Sequence, residues 1–64
     1  MAHEITLEQA VEKSCLMETV LRMLESYPDN IDEAQLSSVV TLTRRLAGDV
    51  YCWLLEEQAQ REER

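Results

Sequence analysis

Ser26-Tyr27-Pro28-Asp29-Asn30-Ile31-Asp32 decides the fold of this 64-residue chain, because it holds the only proline and separates two long stretches of helical periodicity. A proline fixes its own φ and disfavours helical backbone in the residue before it, so a helix arriving from the N-terminal side ends by about Tyr27. Asn30 is a good helix cap, and Asp32 and Glu33 suit the dipole end of a helix that restarts promptly. Working outward from this bend gives an all-α chain: an antiparallel helical hairpin of two long helices, treated as a single domain over 1–64.

The first helix is expected over about 7–27. Thr6 is a good N-cap and Gln9, three residues later, completes a capping-box pattern. Glu8 and Glu12 sit near the positive end of the helix dipole. Leu7, Ala10, Val11, Met17, Leu21 and Leu24 keep the three-and-four spacing of a buried face, interrupted by Ser14. A second set, Leu16, Val20, Met23 and Tyr27, falls on an adjacent flank. The apolar arc is wider than one neighbouring helix requires.

The second helix is expected over about 31–60, after a turn at about 28–30, with Asn30 and Glu33 as the capping pair. Leu36, Val39, Thr43, Leu46, Val50 and Trp53 trace one seam, and Val40, Ala47 and Leu54 widen it. The final stretch from Glu56 to Arg64 favours helix but offers little to bury, so fraying is expected beyond about residue 60. In an antiparallel hairpin with this bend, facing residues have numbers that sum to about 58. Ala10 then meets Ala47 and Gly48, giving the glycine a packing role. Arg44 and Arg45 fall beside Glu12 and Glu18 as surface ion pairs.

Composition narrows the function. The chain carries 13 acidic and 6 basic residues, a net charge of −7, and is 45% hydrophobic, too apolar for a disordered segment. An acidic balance argues against direct nucleic-acid binding. No apolar run approaches the roughly 18 to 20 residues that span a bilayer, and no leader is readable in Met1-Ala2-His3-Glu4, so a cytoplasmic protein without membrane contact is expected. The single histidine, His3, leaves no zinc-type ligand set, and the row Glu4, Glu8, Glu12 reads as a solvated face rather than a metal site. Phosphate-cradling glycine loops are absent from the sequence. Cys15 and Cys52 sit about nine residues apart in the hairpin register, about 13 Å along the helices. That exceeds the roughly 7 Å limit for a disulfide, so both are expected as reduced apolar packers. With His3 far from either thiol and no third group to orient it, nucleophilic catalysis has no constellation to run on. No catalytic residue, metal or cofactor is expected.

What remains is association. Two helices cannot hide this much apolar surface from each other, and at this length a single core is marginal. The simplest closure is a homodimer of hairpins forming a four-helix bundle. Residues expected at interfaces are Leu16, Val20, Met23, Leu36, Val39, Leu46, Val50, Trp53 and Leu54. Trp53 stands out because residues 52–55 project past the start of the first helix, where only Ile5 folding back would cover them. The expected function is a small acidic, non-enzymatic protein–protein interaction or regulatory accessory module, with another protein as a further partner. Alternatives are an acidic inhibitor imitating nucleic acid, or an antitoxin- or immunity-type helical protein completed by a different chain.

Overall fold

Thr6 starts the first helix as its sequence dictates. In the computed structural model, which describes residues 4–27 and 30–63, its hydroxyl accepts from the Gln9 backbone N–H at 3.0 Å, and the Gln9 side chain accepts from the Thr6 N–H at 2.9 Å. Helix α1 then runs Leu7–Glu25. It stops two residues earlier than expected: Ser26 caps it, its N–H donating to the Arg22 carbonyl at 3.1 Å, and the Tyr27 N–H donates to the Leu24 carbonyl at 3.2 Å.

Helix α2 runs Glu33–Glu62 and is capped by Asp32, not Asn30. The Asp32 carboxylate accepts from the Gln35 N–H at 2.8 Å. This choice places Ile31 just before the cap and Leu36 at the fourth helical position, the spacing of a hydrophobic staple. The expected turn at 28–30 falls partly outside the described residues, as does His3. At the other end the helix holds to Glu62 rather than fraying near 60. Arg61 there pairs with Glu57 one turn back at 3.0 Å, and the Glu63 N–H donates to the Ala59 carbonyl at 3.2 Å.

The two helices pack against each other and, among the described residues, no strand occurs. Their seam uses the expected positions: Ala10 and Leu46 are buried, with 5% and 8% of their surface exposed, and Met17, Val20, Leu24, Val39, Thr43, Val50 and Trp53 are half-buried along it. Lys13 crosses the seam to Asp49 at 3.0 Å. Both groups are partly exposed, so this pair contributes at most about 1 kcal/mol. It joins residues whose numbers sum to 62, four more than the expected sum of about 58. The ion pairs expected for Arg44 and Arg45 do not form among the described residues. Glu18 instead pairs with Arg22 on its own helix at 2.7 Å.

Gly48 also departs from expectation. A Cβ built on it meets nothing within 4 Å. The reason is angular: two residues beyond Leu46 is about 200° around the helix, so Gly48 lies on the far side from α1. Its backbone is ordinary helix with no positive φ. Gly48→Ala is therefore expected to stabilise the protein by about 1 kcal/mol, the helix-propensity difference, raising the melting midpoint by about 4 to 8 °C. Thermal melting by circular dichroism checks this.

Candidate interaction surface

A right-handed helix and its antiparallel neighbour carry their flanks in a fixed relation. On both α1 and α2, residues displaced from the seam toward higher helical angle fall on one face of the hairpin, and those toward lower angle fall on the other. The first face collects Leu7, Val11 and Leu21 from α1 with Leu36, Val40 and Leu54 from α2, and all six are exposed. It runs the length of the paired helices. Val40 keeps 55% of its surface exposed, and Val11 60%. Glu18, paired with Arg22, and Glu25 are charges set within it.

The second face is divided. Toward the bend it opens into an apolar groove of about 560 Å³ lined by Val20, Met23, Tyr27, Ile31 and Leu42, with Gln35 and Ser38 as its polar lining. Met23 stands 67% exposed beside it. Away from the bend the same face is charged, carrying the Lys13–Asp49 pair together with Arg45 and Glu56.

The nine residues expected at interfaces are thus distributed over three surfaces. Val39, Leu46, Val50 and Trp53 lie along the seam inside the hairpin. Leu16, Val20 and Met23 belong to the divided face, and Leu36 and Leu54 to the continuous one. Trp53 is half-buried, with Ile5 beside it and Glu4, Asp49, Cys52 and Glu56 around a cavity of only about 40 Å³, so its own chain already covers part of the indole. Leu7, Val11 and Val40 were legible as apolar, but their membership of one surface becomes visible only when the two helices are placed side by side.

Cys15 and Cys52 are free and exposed, a correction to the expectation that they pack as small apolar side chains. Each sits on the outward side of its helix, well round from the seam. No group of three histidine, cysteine or carboxylate side chains suited to a metal ion occurs among the described residues, and no helix formed by them is long and apolar enough to cross a membrane. The shape is a rod of 50 × 17 × 16 Å with a radius of gyration of 14.8 Å, whereas a compact domain of this length has about 11 Å. Comparison with protein-family models, with curated proteins and with solved structures finds no match to this chain.

Proposed function

We propose that this chain is a small acidic, non-enzymatic helical protein that serves as a protein–protein interaction or regulatory accessory module and self-associates as a homodimer, two hairpins forming a four-helix bundle. The observation that carries this reading is the excess of surface. The chain exposes 5450 Å², against about 4,200 Å² for a compact monomer of its mass. Leu7, Val11, Leu21, Leu36, Val40 and Leu54 contribute exposed aliphatic surface along one face. Contiguous apolar area of that kind marks an interface.

Two separate copies at 5450 Å² each would shed about 3,900 Å² on reaching the roughly 7,000 Å² of a compact particle of twice the mass. That falls among obligate homodimers, which bury roughly 2,000 to 5,000 Å². In such a dimer the groove near the bend stays available for a different protein. A cytoplasmic, reducing setting suits the two exposed thiols.

Sedimentation equilibrium over a range of micromolar concentrations tests the reading. The expected particle has twice the 7.4 kDa chain mass. A species of single chain mass persisting at high micromolar concentration overturns self-association.

A further inference from the structure

The flank of α2 that borders the seam reads nearly the same from either end, with Leu36, Val40 and Leu54 exposed and Thr43, Ala47 and Val50 half-buried. Its positions 36, 40, 43, 47, 50 and 54 hold Leu, Val, Thr, Ala, Val and Leu, all within one narrow sector of the helix and spaced four-three-four-three-four. Large residues stand at both ends, valines next, and the two smallest in the middle. A two-fold interface demands this of a surface, since residue i must suit j of the partner while j suits i. Laid against its own copy in the opposite direction, the row sets Leu36 on the partner's Leu54, Val40 on the partner's Val50, and Thr43 on the partner's Ala47.

Helix α1 is compatible with the same axis. Its flank positions on this face, 7 to 25, centre on residue 16, and those of α2 centre on residue 45. These numbers sum to 61, close to the 62 of the Lys13–Asp49 pair across the seam. A single two-fold axis at that level therefore brings Val11 against the partner's Leu21 while α2 meets α2. The opposite face would bury more charge, the Lys13–Asp49 pair with Arg45 and Glu56 in each chain, against Glu18 and Glu25 on the first face, at a desolvation cost that attraction need not offset.

We propose that two copies associate through this continuous face, α2 antiparallel to the partner's α2, about a two-fold axis at the level of residue 45. The assignment rests on the self-association proposed above, and it excludes the bundle in which α2 lies on the partner's α1.

Cross-linking in the full chain tests it. With Cys15 and Cys52 changed to serine, a Leu36→Cys/Leu54→Cys chain and a Met23→Cys/Leu42→Cys chain are treated with a short bifunctional maleimide, and their sedimentation is measured alongside. The expected result is a covalent dimer from the first pair at ten or more times the yield from the second. If both chains sediment as dimers and the first does not link, or links no better than the second, the face and direction are overturned while self-association stands. If the unmodified protein sediments as a monomer, the parent reading fails instead. Circular dichroism confirms that the substituted chains retain their helices. If the 36/54 chain loses them, Val40→Cys/Val50→Cys, the next pair inward, replaces it with the same two outcomes.

Discussion

Replacing Leu46 with alanine is expected to lower the thermal midpoint by about 10 °C or more, enough to leave much of the chain unfolded near physiological temperature. Among the described residues, Leu46 is the one large side chain that the hairpin buries, at 8% exposure, with Ala10 as its counterpart on α1. Truncating a buried leucine to alanine costs about 2 to 5 kcal/mol, combining lost transfer free energy with the cavity left behind. The whole stability of a chain this short is about 3 to 5 kcal/mol, so this single change is comparable with the total. Melting followed by circular dichroism at fixed protein concentration gives the shift. A midpoint within two or three degrees of the parent would show that the seam is not where this fold draws its stability.

A glutamate at Val40 is expected to weaken self-association on the order of a hundredfold or more, while the same change at Met23 leaves it nearly unaltered. Both side chains are more than half exposed in the single hairpin, so neither substitution places a charge in its seam, and the hairpin itself should tolerate both. They differ in face. Val40 belongs to the continuous surface, where the two-fold arrangement sets it on the partner's Val50 and would bury two new carboxylates per dimer. Met23 stands over the groove near the bend, which that arrangement leaves in water. Sedimentation of the two variants across the same concentrations decides the matter. If Val40→Glu sediments like the parent, this face is not the one buried. If Met23→Glu dissociates instead, the groove is.

Much of the fold was written in local signals. The proline, the Thr6–Gln9 capping box and the three-and-four spacing each act within a few residues, and each corresponds to an element or a hydrogen bond now seen. The second N-cap was misassigned: Asn30 with Glu33 has capping spacing, but Asp32 caps the helix by accepting from the Gln35 N–H, with Ile31 and Leu36 at staple spacing. Gly48 was misread because a facing sum gives level along the rod and ignores angle around it. The ion pairs of Arg44 and Arg45 failed for a related reason, since exposed side chains find partners on their own helix, as Glu18 and Arg22 do. The interaction surface was legible residue by residue but not as a surface. Two flanks per helix allow several assignments, and only the handed packing of α1 on α2 shows which flanks share a side.

Most close residue pairs in this hairpin are near in sequence, within a helix, and the two helices meet across one short link, an arrangement with a kinetic consequence. Chains dominated by such near-sequence contacts fold within microseconds to milliseconds, as the loop entropy to be overcome is small. Growth of the pair can proceed turn by turn from the link toward the free ends. A temperature jump should then reveal two relaxations: a rapid one indifferent to dilution, and a slower encounter step that quickens as the solution is made more concentrated.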